Sequence, residues 1–108
     1  MKSFLNYFQE AKLPSSVPGI GKKLGLAKNL RHAGMWSADV KPNKAVSLEK
    51  ILSGDPQFRL DGKTGKYPNH YFSNNIAVSF FKLKDGDNIK VQAKKLVRGH
   101  SQGSLQST

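Results

Sequence analysis

Residues 76–97, IAVSFFKLKDGDNIKVQAKKLV, carry the clearest secondary-structure pattern in the chain. Two apolar runs flank the segment DGDN at 85–88, whose composition is typical of a tight turn. Alternation places one set of side chains on a single face: Ile76, Val78 and Phe80 in the first run, and Ile89, Val91 and Ala93 in the second. We predict an antiparallel hairpin. Phe81 and Leu83 point to the opposite face, so we expect this sheet to be covered in part on both sides.

Helical patterns lie upstream of this hairpin. Residues 20–32 predict a helix that ends at Gly34, and its buried side is expected to contain Leu24, Ala27 and Leu30. Residues 47–54, SLEKILSG, predict a shorter helix with a serine N-cap and a glycine stop. The segment 57–66, QFRLDGKTGK, indicates a strand followed by a turn. The chain is therefore expected to be a small single α+β domain, with N-terminal helices followed by a short antiparallel sheet that includes a C-terminal hairpin.

Composition limits the functional class. The chain has 108 residues, enough for one hydrophobic core, with 37% hydrophobic residues and a mean hydropathy of -0.53. Lys and Arg number 18 against 7 for Asp and Glu, which gives a formal net charge of +11. A surplus of this size favours a polyanionic partner. There are no cysteines, which excludes disulfides and thiolate metal sites, and no apolar run reaches the ~18 residues of a membrane helix.

The segment 17–24, VPGIGKKL, is a candidate phosphate-binding turn. A Pro-Gly-x-Gly turn that enters a helix can direct backbone N–H groups at an anion. Lys22 and Lys23 would then lie in the first helical turn, where an anion would offset their unfavourable position relative to the helix dipole. The expected phosphate-binding residues are Gly19, Gly21, Lys22 and Lys23. A plain turn and amphipathic helix with two solvated lysines is the alternative.

Catalysis and metal binding have little support in the sequence. His70, in YPNHYF at 67–72, is the best candidate for a nuclease base, but no carboxylate adjoins it in the sequence. No pair of His or carboxylate residues has ligand spacing. We therefore expect no enzyme activity, no metal and no cofactor.

Aromatic residues near lysines could stack on the bases of single-stranded nucleic acid. With 9% aromatic residues in the whole chain, most of them are expected in the core, and Trp36 is expected to be a core anchor. The aromatic residues in question are Tyr67, Tyr71, Phe72, Phe80 and Phe81, and the neighbouring lysines are Lys63, Lys66, Lys82 and Lys84.

The N-terminal segment 1–11, MKSFLNYFQEA, has an amphipathic helical pattern. Its apolar stripe contains Phe4, Leu5, Tyr7, Phe8 and Ala11. Pro14 disfavours helical geometry at the preceding residue, and the following LPSSVPG is typical of an exposed linker.

This segment resembles the capsid-targeting leader of the internal head proteins of T-even bacteriophages. Such leaders begin Met-Lys, carry an aromatic face and end Glu-Ala, and the head-maturation protease cuts after the glutamate. The resemblance implies targeting through Phe4, Leu5, Tyr7 and Phe8. It also implies cleavage between Glu10 and Ala11, although the family favours Leu or Ile where this chain has Phe8.

The resemblance implies three segments: a cleaved leader at 1–10, a basic α+β domain at 11–98 and a flexible tail at 99–108. It implies a virion protein that contacts phage DNA, the prohead scaffold and the maturation protease, and that enters the host cytoplasm with the DNA. Proteins of this family can also inhibit a host restriction nuclease. No membrane partner is expected. A sequence-nonspecific nucleic-acid-binding protein and a small ribonuclease toxin that uses His70 are the alternatives.

Overall fold

The structure, a computed structural model, describes residues 13–96. The predicted leader with its targeting residues, the cleavage site at Glu10 and Ala11, and the tail at 99–108 lie outside the described residues. The described chain forms the helices α1 (Val17–Leu24) and α2 (Pro42–Ser53) and the strands β1 (Ala27–Lys28), β2 (Trp36–Val40), β3 (Arg59–Lys63), β4 (Lys66–Phe72), β5 (Ile76–Lys82) and β6 (Ile89–Lys95). The strands form one sheet in the order β1-β2-β6-β5-β4-β3, and every neighbouring pair is antiparallel.

The predicted antiparallel pairing of 76–84 with 89–97 is observed in part, between β5 (Ile76–Lys82) and β6 (Ile89–Lys95). In the register of β5 and β6, Val78 lies opposite Ala93 and Phe80 opposite Val91. The two predicted sets of alternating side chains are almost completely buried in one core. Alternation therefore identified the inward face of both strands correctly.

Both helices lie on this inward face. The core joins Ile20 and Leu24 of α1 and Leu48 and Leu52 of α2 to the buried set of β5 and β6. Trp36 packs against the same cluster while remaining half-buried, in line with its expected role as an anchor. The expectation of partial cover on both sides stays a prediction: neither described helix lies on the face that carries Phe81, although Ala77 and Ser79 on that face are 2% and 6% exposed.

The first described helix is shorter than the pattern of residues 20–32 predicted. It ends at Leu24, because Gly25 adopts a left-handed conformation with φ 80°. The N–H groups of Gly25 and Leu26 donate to the carbonyl oxygens of Lys22 and Gly21, at 3.2 and 2.7 Å. This arrangement stops the helix and turns Leu26 into the core. Leu30, predicted to be buried, is 99% exposed.

The second described helix starts five residues before the predicted N-cap at Ser47. Pro42 occupies its first turn, where the missing N–H has no cost, and Gly54 is its C-terminal cap as predicted. The predicted order of helices before sheet was wrong, because β1 and β2 precede α2 in the chain. Strand β3 also continues through 61–63, which the sequence indicated as part of a turn.

Asp55 ties the start of the described chain to the domain. Its buried carboxylate accepts a hydrogen bond from the backbone N–H of Leu13, and the Gln57 side chain donates to the Leu13 carbonyl oxygen at 3.1 Å. The Leu13 side chain is 5% exposed and belongs to the core. The packed domain therefore includes the chain from Leu13 onward.

Candidate nucleic-acid interface

The outward face of the sheet is a surface built by strand register. Directly opposite residues of antiparallel strands point to the same side, so three rows of side chains can be traced across this face. The first row is Arg59, Phe72, Ala77 and Lys94; the second is Asp61, His70, Ser79, Gln92 and Ser37; the third is Phe81, Lys90 and Asp39. We call these three rows the open face.

Three rings form a continuous cluster on the open face. The His70 ring lies 6.0 Å from the Phe72 ring, at an interplanar angle of 24°. It also lies 5.7 Å from the Phe81 ring, in an edge-to-face arrangement at 73°. All three side chains are half-buried, so each ring retains surface that a ligand can contact.

Small residues separate this cluster from the long side chains of β6. Ala77 and Ser79 on β5 are 2% and 6% exposed. Their short side chains form a floor between the rings of β4 and the polar side chains of β6. Lys90, Gln92 and Lys94 line the far side of this floor. The open face therefore has an aromatic side and a polar, mainly cationic side.

The open face carries three cations and two carboxylates. The row that contains Phe72 carries a cation at each end, Arg59 and Lys94, and no carboxylate. Lys90 adds a third cation, while Asp39 and Asp61 lie toward the edges of the face. Neither carboxylate lies in the row that contains Phe72.

The rest of the described surface is also basic. Three of the 18 cationic residues (Lys2, Lys12 and Arg98) and one of the seven acidic residues (Glu10) lie outside residues 13–96. Of the six acidic residues that remain, Glu49 and Asp55 are buried, so four carboxylates face solvent. All fifteen remaining cations except the half-buried Lys90 are exposed.

The catalytic candidate His70 is held as part of the aromatic cluster. Its Nδ1 atom is 2.8 Å from the Ser79 hydroxyl, and its ring contacts Phe72 and Phe81. The structure places Asp61 opposite His70 in the register, a neighbour that the sequence did not reveal because the two residues are nine positions apart. The hydrogen bond that orients the ring comes from Ser79.

Strand alternation divides the aromatic residues that the sequence grouped near lysines. Tyr71 and Phe80 are completely buried and Tyr67 packs against the core, whereas Phe72 and Phe81 lie on the open face. Sequence reasoning did not include Arg59 and Lys94 in this group. Their positions next to Phe72 depend on strand pairing with β3 and β6, which local sequence does not specify.

The premise for a phosphate site at VPGIGKKL was wrong in one respect. Lys22 and Lys23 lie in the last turn of α1, where the helix dipole favours a positive charge. The first turn offers few free N–H groups, because Pro18 has none and the N–H of Gly19 donates to the Ser16 hydroxyl at 3.2 Å. Phosphate binding here remains a prediction without that support.

Packing accounts for the two glycines of this segment. A Cβ atom on Gly21 would lie 2.6 Å from the Trp36 ring, and one on Gly19 would lie 2.6 Å from Pro14. Both distances are shorter than a van der Waals contact, so each glycine permits close approach within the domain.

A buried carboxylate lies beneath β4, on the opposite side of the sheet from the open face. Glu49 is 0% exposed and accepts four hydrogen bonds. The donors are the hydroxyls of Tyr67 and Tyr71 at 2.8 and 2.7 Å, the Asn69 amide at 2.8 Å and the Gly65 N–H at 3.2 Å. These neutral donors bind α2 to β4 and to the turn before it.

Burial raises the pKa of the Tyr67 hydroxyl, and the hydrogen bond to Glu49 adds to this effect. Burial also raises the pKa of Tyr71, although its contacts with Thr64 and Ser53 oppose the shift. Both hydroxyls therefore remain protonated donors well into the alkaline range. The Glu49 cluster is thus a structural network that orients β4, the strand that carries His70 and Phe72.

A second surface feature is a groove of about 770 Å³ at the start of α1, lined in part by Val17, Trp36 and Ile76. Lys95 is the only charged residue of its lining. None of the lining residues belongs to the open face.

Comparison of the chain with protein-family models, with curated proteins and with solved structures finds no match. Within residues 13–96, no group of three His, Asp or Glu side chains is arranged to hold a metal ion. In the same part of the chain, no helix is long and apolar enough to cross a membrane.

Proposed function

We propose that this protein is an internal head protein of a T-even-like bacteriophage, which is packaged with DNA and enters the host with it. Its leader, residues 1–10, directs the chain into the prohead and is removed between Glu10 and Ala11. The basic domain is the part that remains beside the DNA. The proposal rests on the resemblance of MKSFLNYFQEA to capsid-targeting leaders.

The contacts of Leu13 are compatible with this proposal. Leu13 is the first residue of the described core, and Asp55 and Gln57 hold its backbone. The proposed cut lies only two residues before Leu13. Cleavage there would leave every described core contact in place.

The burial of Glu49 supports a single cut by a glutamate-directed protease. The chain contains two glutamates, Glu10 and Glu49. Glu49 is 0% exposed within α2 and accepts four hydrogen bonds, so a protease could reach it only after unfolding.

The charge distribution supports residence among packed DNA. Cleavage would remove one cation, Lys2, and one carboxylate, Glu10, so the formal net charge of +11 would not change. Exposed cations neutralise phosphates without regard to base sequence.

Mass spectrometry of the protein extracted from purified phage particles tests the proposal. We expect a chain that spans Ala11–Thr108. A Glu10→Gln variant supplied during infection should be packaged but retain its leader, since the protease would lack its recognised residue. An intact N-terminus on the packaged wild-type protein would refute processing, and absence of the protein from particles would refute the whole proposal.

We further propose that the protein is not an enzyme and that any inhibition of a host restriction nuclease occurs through a binding surface. The orientation of His70 by Ser79 within an aromatic cluster supports a binding role for this residue. Incubation of labelled RNA with wild type and with His70→Ala should give no cleavage in either case. Cleavage by wild type alone would identify a ribonuclease.

A further inference from the structure

The open face is a large sheet surface that no described helix covers. Antiparallel sheets often leave one face to solvent, and such a face is then usually polar. Here it instead holds the His70 ring in contact with both Phe72 and Phe81. Aromatic rings at this position contribute little to the core, since the core lies on the other side of β4 and β5.

We propose that the open face binds single-stranded nucleic acid, with bases stacked on Phe72 and Phe81 and phosphates held by Arg59, Lys90 and Lys94. This site is distinct from the leader, and the proposal applies to the domain whether or not residues 1–10 are removed.

The stacking of bases on these rings explains why the proposed ligand is single-stranded. Bases stack on aromatic side chains when their flat faces are free, a condition that a double helix does not meet. Phe72 and Phe81 are half-buried, and the ring of each contacts His70. Rigid rings on strands cost less ordering entropy on binding than rings on loops.

The positions of the cations match a sugar-phosphate backbone that runs across the β-strands. Arg59 and Lys94 lie at the two ends of the row that contains Phe72, on β3 and β6. Adjacent strands are about 4.8 Å apart, so these two residues lie about three strand spacings, or ~14 Å, from each other. A strand that stacks a base on Phe72 can place phosphates on either side.

Charge distinguishes this ligand from a protein partner. Protein interfaces have few charged residues in their cores, whereas the row through Phe72 has a cation at both ends and lies on a surface with fifteen cations and four exposed carboxylates. A polyanion with flat apolar bases matches both components of the open face.

Fluorescence anisotropy with the full chain and labelled 20-nucleotide DNA, the matching RNA and the matching DNA duplex tests the proposal. Phe72→Leu and Phe81→Leu retain an apolar side chain but remove the ring. We expect each to weaken single-strand binding about tenfold while leaving duplex binding unchanged. Comparison of the single-stranded DNA with the single-stranded RNA shows whether the sugar affects the affinity.

Matched charge variants distinguish phosphate contacts on the open face from electrostatic attraction to the basic surface as a whole. Arg59→Ala with Lys94→Ala removes two cations from this face, and Lys44→Ala with Lys50→Ala removes two exposed cations from α2. We expect the first pair to lower the salt slope of single-strand binding by about 1.4 and to weaken binding more than the second pair.

Equal effects of the two charge pairs, or unchanged single-strand affinity in both ring variants, would overturn the proposal. So would equal loss of single-strand and duplex binding in the ring variants. Circular dichroism and thermal melting establish that each variant is folded. Ultraviolet crosslinking of bromodeoxyuridine DNA provides a second measurement, and crosslinks to peptides without Phe72 or Phe81 would also contradict it.

Discussion

At the residue scale, Glu49 shows how a charged side chain can be part of a core. Isolated burial of a carboxylate is costly, but four donors surround this one, including both core tyrosine hydroxyls. Asn69 joins the network by donating to Glu49 and to the Lys63 carbonyl oxygen, each at 2.8 Å. The network specifies where α2 meets β4, since no other position would satisfy the same donors.

Replacement of Glu49 by Ala should therefore destabilise the protein strongly. The substitution leaves four donors without their acceptor and creates a cavity, so we expect a loss of about 3–5 kcal/mol in the free energy of unfolding. Urea denaturation measures the change. The control Asp87→Ala removes an exposed carboxylate and should change stability by less than about 0.5 kcal/mol. A loss below about 1 kcal/mol for Glu49→Ala would contradict the described network.

The raised pKa values of Tyr67 and Tyr71 predict weaker stability in alkali. In the unfolded chain both hydroxyls titrate near pH 10, whereas the folded protein holds their protons to higher pH. Their contribution to the free energy of unfolding is complete below pH 10. It falls as the pH rises toward the pKa values of the folded state, because the unfolded state then binds fewer protons. The urea concentration at the midpoint of unfolding should decline as the pH is raised from 8 to 11.5. This decline should be steeper in wild type than in Tyr67→Phe. Lysine titration affects both proteins equally. Identical dependence of the two urea midpoints on pH would therefore show that Tyr67 has no shifted pKa.

At the element scale, α1 illustrates how local and tertiary signals compete. The apolar spacing of residues 20–32 favours a longer helix, but Gly25 can adopt the left-handed conformation that few other residues tolerate. Once Leu26 is buried, the short helix and the strand β1 are more favourable than an extension. Helix α2 shows the complementary case, in which Pro42 opens the helix before the serine that the sequence suggested.

Substitution Gly21→Ala tests the packing of α1. The added methyl would lie 2.6 Å from the Trp36 ring, and overpacking costs about 1–3 kcal/mol. Ala gains about 1 kcal/mol in helix propensity, so we expect a small net loss of stability. Emission of Trp36, the single tryptophan, should shift as its ring moves. The exposed Lys23→Ala on the same helix serves as control, and increased stability with unchanged emission would contradict the contact.

At the scale of the whole molecule, the proposed cut between Glu10 and Ala11 lies upstream of the contacts that Leu13 makes in the described core. The described core closes around Leu13 through Asp55 and Gln57. Under the proposed function, removal of residues 1–10 leaves these contacts in place. The surplus of cations belongs mainly to the described domain, because only three of the 18 lie outside it.

Deletion of residues 1–10 should leave the melting temperature within about 2 °C of the full chain. Deletion of residues 1–13 removes a core side chain and two backbone hydrogen bonds, and should lower it by about 10 °C or more. Thermal melting by circular dichroism measures both. A large loss on deletion of residues 1–10 would show that the leader contributes to the core.

The sequence alone determined the inward faces of β5 and β6, the glycine stop of α2 and the basic character of the surface. These features depend on local periodicity, on the low helix propensity of glycine and on composition, all of which are present without the fold. Tertiary structure alone decided that Phe72 faces outward while Tyr71 faces the core, and that Arg59 and Lys94 lie in one row with Phe72. The physical reason is that strand register brings together residues far apart in the sequence, such as Trp36 and Ala93, and a shift by one residue would exchange the two faces.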